Sequence, residues 1–123
     1  MPRRISEASY ELAKATLSMA GLRFISQTSI SVGSGADGTY TVLSDGCRRV
    51  VAIHLGAANG DIRFNLNAAA TSAHVPVIPA RYFVVDVQSP RPATPTEPAK
   101  TGDVLHFFNT SAGALTVYLV ETD

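Results

Sequence analysis

The chain has no tryptophan, one cysteine and no excess of charge of either sign, with ten basic and ten acidic side chains among its 123 residues. Cys47 alone cannot form an internal disulfide, so a packed core must hold the fold. At this length roughly two-thirds of the surface an unfolded chain exposes can be buried, which is enough for one self-sufficient domain. The cancelled charge, with no basic stripe along any segment, disfavours nucleic acid as a direct partner. It also weakens self-repulsion, which suits a protein that packs against copies of itself. No apolar run approaches the roughly 20 residues that span a bilayer, and no charged segment leads into the apolar core of a secretion signal. The expectation is a chain kept in a cytoplasm or inside an assembly, with no membrane partner.

What is present is alternation. Twice an apolar, histidine-bearing run enters a turn of small residues and returns with period two. The first copy runs Val51-Ala52-Ile53-His54, through Asn59-Gly60, to Ile62, Phe64 and Leu66. The second runs Val104-Leu105-His106-Phe107, through Ala112-Gly113, to Leu115, Val117 and Leu119. Strict alternation is the mark of a half-buried antiparallel strand, so each copy reads as a β-hairpin. The phase places Ile62, Phe64, Leu66, Leu115, Val117 and Leu119 inward. It turns Arg63, Asn65, Thr116 and Tyr118 outward or toward a partner.

Strand-like segments also cover 22–32, 40–43, 48–55, 61–66, 75–78, 81–88, 103–109 and 114–121. Glycine-rich turns join them without any strand–helix alternation. The pattern predicts an all-β, antiparallel sandwich or jelly-roll-like single domain over 22–123, with strand order left open. Residues 1–21 differ. Ser6 can cap, Glu7 and Glu11 favour a helix start, Ala8, Leu12, Ala15 and Met19 share one face, and Gly21 can close the end. A short N-terminal helix or arm is expected, marginal by itself and in need of a surface to lie on.

Residues 89–100 carry Pro90, Pro92, Pro95 and Pro98, four of the seven prolines. Such a stretch favours extended polyproline geometry and reads as a loop standing away from the sheet. Long loops inside compact domains are often functional. The arm and the loop are the expected contact elements, ordered by neighbouring subunits: Arg3, Arg4, Tyr10 and Leu12 in the first, and Pro90, Arg91, Pro92, Pro95, Glu97 and Pro98 in the second. Arg3 and Arg4 are expected to meet acidic surface on the shell, or Glu121 and Asp123 of an adjacent copy.

Chemical motifs are sparse. Gly33-Ser34-Gly35-Ala36-Asp37-Gly38 matches a dinucleotide fingerprint, but the strand-like Thr39-Tyr40-Thr41-Val42-Leu43 follows it where a helix N-terminus is needed, so the glycines read as a turn. His54, His74 and His106 lie far apart, with no metal-ligand spacing and no carboxylate close on a shared strand face. His54 and His106 occupy matching places in the two copies, as structural or interface histidines would. Cys47, after Ser44-Asp45-Gly46, reads as a small half-buried structural residue. Asn109-Thr110-Ser111 spells a glycosylation sequon that carries no weight without a secretion signal. No catalytic residue, cofactor site or metal site is expected.

The string Gly102-Asp103-Val104-Leu105-His106-Phe107-Phe108-Asn109-Thr110-Ser111-Ala112-Gly113-Ala114-Leu115-Thr116-Val117, preceded by Ile78-Pro79-Ala80-Arg81-Tyr82-Phe83, resembles the second half of small all-β virion proteins of tailed bacteriophages. Asp61-Ile62-Arg63-Phe64 and the closing Gly113-Ala114-Leu115-Thr116-Val117 belong to the same likeness, which covers about residues 40–121. The resemblance implies a non-enzymatic capsid decoration or cement protein. Its partners would be the major capsid protein or other virion proteins, and it would act as a homo-oligomer, a trimer by preference, on the virion surface after synthesis in a bacterial cytoplasm. A head-to-tail connector, tail or fibre-base fitting is the alternative, and a jelly-roll pocket protein, enzyme or sugar binder, is the second. A pocket enzyme should gather titratable groups in one cleft, whereas Asp86, Asp103 and the histidines are scattered along separate strands.

Overall fold

Eight strands follow one another through residues 24–123, the part of the chain described by the computed structural model. They are β1 (Phe24–Val32), β2 (Asp37–Thr41), β3 (Arg49–His54), β4 (Ile62–Leu66), β5 (Val75–Pro76), β6 (Phe83–Asp86), β7 (Val104–Asn109) and β8 (Leu115–Thr122). Each falls within or beside one of the eight segments that alternation marks out. The expected helix or arm over 1–21, with Arg3, Arg4, Tyr10 and Leu12, lies outside the described residues.

The strands form two four-stranded antiparallel sheets, ordered β1-β8-β3-β6 and β2-β7-β4-β5. All connections but β4 to β5 cross from one sheet to the other. That winding, with both termini of the strand series paired in one sheet as β1 and β8, is the jelly-roll form of the β-sandwich.

The two sequence repeats are not hairpins, as alternation suggested. β3 pairs with β6 and β8, while β4 pairs with β5 and β7, so His54 and Ile62 belong to opposite sheets. β7 and β8 are likewise split between the sheets. Each repeat is an arch, a strand that enters one sheet, crosses the sandwich and returns in the other. A hairpin and an arch share the same period-two pattern, because both leave one apolar face per strand. The difference lies in the connection, which here must span the roughly 10 Å between sheets instead of turning within one. The arches then pair with each other, β3 on β8 and β4 on β7. Their tips meet where the Thr110 amide donates to the Asp61 carbonyl at 2.8 Å and the Thr110 hydroxyl donates to the Gly60 carbonyl at 2.7 Å.

The inward phase of each strand is as alternation predicts. Ile62, Val117 and Leu119 are buried, and Phe64, Leu66 and Leu115 pack half-buried against the same core, which also contains Val32, Val50, Leu105 and Phe107. Arg63, Asn65, Thr116 and Tyr118 take the opposite faces and are half-buried there. Phe64 sits across the ladder from Phe107 and meets Phe83 edge-on at 5.0 Å between ring centroids. β3 is covered on both faces, since Val51 joins Val120, Phe24 and Tyr82 in a second small cluster outside its sheet.

Asn109 closes one end of the sandwich. Fully buried, it donates its side-chain amide to the Val32 carbonyl at 2.9 Å and the Gly113 carbonyl at 2.8 Å, and its side-chain oxygen accepts from the Ser111 amide and hydroxyl. The β1–β2 turn, holding the glycine motif, is thereby tied to the β7–β8 arch. Carrying a sugar is incompatible with an amide spent twice on carbonyls. Asn109→Asp is expected to lower stability by about 2–4 kcal/mol in urea unfolding, because it sets a carboxylate against two buried carbonyl oxygens.

Candidate functional site

The proline-rich segment protrudes, with residues 91–100 all exposed. It is nevertheless held by its own bonds. Arg91 and Lys100 exchange backbone hydrogen bonds of 2.8 Å each, and further out the Thr94 amide donates to the Glu97 carbonyl at 2.9 Å while the Glu97 amide donates to the Thr94 hydroxyl at 3.0 Å. The bonding amides belong to residues 91, 94, 97 and 100, and Pro92, Pro95 and Pro98 occupy positions between them, so no proline interrupts a bond. Arg91 and Glu97 add an ion pair at 2.7 Å across the finger. Exposed as it is, that pair contributes only about 0–1 kcal/mol. The segment is therefore a narrow finger braced by bonds of its own.

Its base is anchored as firmly. The Gln88 amide donates to the Asp103 carboxylate at 2.9 Å, the Lys100 ammonium reaches the Gln88 side chain at 3.0 Å, and Pro90 is half-buried. Gly102 passes so close to Val42, just beyond β2, that a Cβ there would collide with the Val42 carbonyl oxygen, and only glycine fits.

A buried polar centre lies beneath the β2–β3 connection. Glu121, 1% exposed, accepts hydrogen bonds from the Tyr40 hydroxyl, the Leu43 amide at 3.2 Å and the Ser44 amide at 3.0 Å. Burial alone would raise its pKa, but the bonds from Tyr40, Ser44 and the Leu43 amide outweigh it and hold the carboxyl below its usual 4.5. Tyr40 is pushed far above the ordinary phenol range, first by burial and then by the bond to this carboxylate. Burial and the nearby Glu121 charge push the Cys47 thiol up to about 11, which makes it a poor nucleophile. The centre is a structural clasp, buried and held by three donors. Glu121 is consequently closed to Arg3 or Arg4 of another copy, contrary to the sequence expectation. The signal for its burial was available: Glu121 continues the inward phase of Val117 and Leu119, as Asn109 continues that of Leu105 and Phe107.

The histidines occupy three separate settings. His54 is fully buried; the Gly56 amide donates to its Nδ1, which leaves the proton on Nε2 to be donated to the Val77 carbonyl at 2.6 Å. His106 faces the other way, on the outer side of the second sheet, with Nδ1 at 2.7 Å from the Asp37 carboxylate. That carboxylate on the neighbouring strand was not foreseen, because Asp37 read as part of the glycine loop and instead begins β2. Asp37 also accepts from the Ala70 amide at 3.3 Å, pinning the β4–β5 connection across the sheet. His74 accepts from the Thr71 amide at 2.9 Å within that connection. The two repeats thus place their histidines differently. Among the described residues, no three His, Cys, Asp or Glu side chains come together as a metal site would require.

Two grooves remain. One, of about 550 Å³, opens between the edges of the two sheets and is lined by Ser26, Thr28, Ile30, Thr39 and Leu43, with Glu121 beneath. The other, of about 380 Å³, lies at the root of the finger among Cys47, Arg48, Pro90, Arg91 and Lys100.

The fold and these surfaces define a jelly-roll module whose buried Glu121, Asn109 and His54 are committed to its own structure, with an exposed finger braced by bonds of its own. No protein-family model matches the chain, and neither the curated proteins nor the solved structures yield a match.

Proposed function

We propose that this chain is a non-enzymatic structural protein of a tailed-bacteriophage virion, of the capsid decoration type, which strengthens the shell by bridging capsid subunits. The observation that carries this reading is the finger over 91–100. A projecting element fixed by prolines and four internal backbone bonds loses little entropy on contact, which is what an adhesive bridge needs. Support comes also from the sequence likeness over about residues 40–121 and from a topology common among virion subunits, though the same topology serves lectins and enzymes and does not by itself select a function. The finger is the attachment element in this reading, with Arg91, Pro92, Pro95, Glu97 and Pro98 at the contact and Pro90 at its root.

Replacing residues 91–100 by a short glycine-serine link tests it. Far-UV circular dichroism and the unfolding midpoint should stay close to those of the parent chain, because the replaced residues are exposed. Attachment to capsids lacking the protein, followed by co-sedimentation, should weaken about tenfold or more. Unchanged attachment would make the finger a passenger. Binding to isolated necks or tails in place of shells would move the protein to the head-to-tail connector.

A further inference from the structure

The two sheets differ on the faces they turn away from each other. The outward residues of the β2-β7-β4-β5 sheet are mostly polar, among them Asp37, Thr39, Arg63, Asn65 and His106, as on a solvated face. The β1-β8-β3-β6 sheet turns an apolar band outward instead. Val120, Val51 and Val84 stand side by side across β8, β3 and β6, and Tyr118 and Ile53 form the next row. The phase is fixed by their neighbours, since Leu119, Val50 and Ala52 belong to the core between the sheets. β3 accordingly reads Val50-Val51-Ala52-Ile53, an unbroken apolar run of the kind found in strands covered on both faces.

The band is also shielded. Val51 and Val120 are 3% exposed and Ile53 6%, although among the described residues only the apolar side chains of Phe24 and Tyr82 pack against the first two, and no strand lies over this face. The Tyr82 hydroxyl is buried as well and meets no hydrogen-bond partner among the described residues, whereas a buried hydroxyl almost always has one. Only at the β6 edge does the band open, where Val84 is 52% exposed.

We infer that the outer face of this sheet is the docking face of residues 1–23 of the same chain, which lay a third layer over β8 and β3. Connection and chemistry select this occupant. The described structure begins at Phe24, which opens β1 in this same sheet and packs against Val51 and Val120, so the preceding residues are delivered to the edge of the band. Their sequence carries a complementary stripe, Ala8, Leu12, Ala15 and Met19 at helical spacing, with Glu7, Glu11 and Lys14 on the opposite side. Ser9 and Thr16 flank that stripe and can supply a partner for a hydroxyl such as that of Tyr82. In helical form about 15 residues reach roughly 22 Å, enough to cross four strands spaced about 4.8 Å apart. A helix of marginal length persists when its apolar face is packed in this way. The arm is then engaged within its own chain, in place of the neighbouring subunit expected from the sequence. The inference holds whether or not the virion reading does.

Disulfide trapping in the full chain tests it. In a Cys47→Ala background, Ala8→Cys, Leu12→Cys, Ala15→Cys or Met19→Cys is combined with Val84→Cys or Ser29→Cys, exposed positions on either side of the band. Under mild oxidation at micromolar concentration at least one of these pairs should close within a single chain in most molecules, as read by intact mass and non-reducing gels. The same arm substitutions combined with Thr39→Cys, on the outer face of the other sheet, should stay largely open. Cross-links formed only between chains would put a second copy on the band and overturn the inference. Closure at Thr39 equal to that at the band overturns it too, as does the absence of closure at both band positions. Leu12→Asp supplies an independent reading. A carboxylate set into the docked stripe should lower the urea midpoint and raise the fluorescence of an apolar dye several-fold, while Lys14→Asp, on the opposite side, should leave both near the parent. Equal behaviour of these two variants also overturns the inference.

Discussion

Truncating Phe107 to alanine is expected to destabilise the protein by about 3–5 kcal/mol, as judged by the shift of the urea midpoint at unchanged slope. Phe107 is fully buried, lies in the middle of β7 between β2 and β4, and meets Phe64 at a 48° tilt with 5.5 Å between ring centroids. Removing the ring opens a cavity that two sheets, each held by its own ladder, cannot collapse to fill. Phe64→Ala should cost less than Phe107→Ala, because Phe64 is only half-buried and part of its ring already meets solvent. If Phe64→Ala proved the more damaging, the core would be centred on β4 and not on β7. Since natural domains are stable by only about 5–15 kcal/mol, the Phe107 variant stands near the limit of folding.

Glu121→Ala should be comparably severe, at about 3–5 kcal/mol, for a different reason. The alanine leaves the Tyr40 hydroxyl and the Leu43 and Ser44 amides without their acceptor; a buried orphan such as the hydroxyl costs about 1–3 kcal/mol, and the two part-buried amides cost less each. Glu121→Gln keeps the shape but turns an amide toward donors, so it should fall between alanine and the parent. The two variants also isolate a pH effect. The folded carboxyl is held below 4.5, so its stabilising contribution is complete above pH 4.5 and is lost as pH falls below that value through the folded pKa. The parent should therefore lose stability on acidification over a window in which Glu121→Gln shows a flatter response. On the alkaline side the sign reverses. The Cys47 contribution is full below pH 9, its usual value, and is lost as pH rises toward about 11, with Tyr40 adding to the loss above pH 10. Thermal midpoints measured from about pH 2 to about pH 6 decide the acid prediction; parallel profiles for parent and Glu121→Gln would show that the clasp is not ionised.

The prominence of Phe107 and Glu121 could be read in part from the chain. Alternation of period two is a local property, dictated by the way successive strand side chains point to opposite faces, and it marked a segment on each of the eight strands, three residues late for β2, and the inward phase of Ile62, Val117 and Leu119 without reference to any partner. The same phase, continued to the polar residues Asn109 and Glu121, marks them as buried, but polarity argues the other way and only the positions of Val32, Tyr40 and Ser44 show how each is satisfied. Proline content likewise announced a projecting segment at 89–100. Its closure by the Arg91–Lys100 and Thr94–Glu97 bonds depends on dihedrals that composition does not specify.

Which strands pair is a different kind of information. An arch and a hairpin bury the same residues with the same period, so the repeats at 51–66 and 104–119 could not disclose that each crosses the sandwich. The choice is made by partners distant in sequence, β8 for β3 and β7 for β4, whose combined ladders outweigh any local turn. The class of fold, the approximate strand positions and the faces they bury were legible in the chain, because these follow from nearest-neighbour geometry. The sheet order, the Asp37–His106 pair and the clasp around Glu121 are tertiary, because each needs residues many tens of positions apart to meet in space.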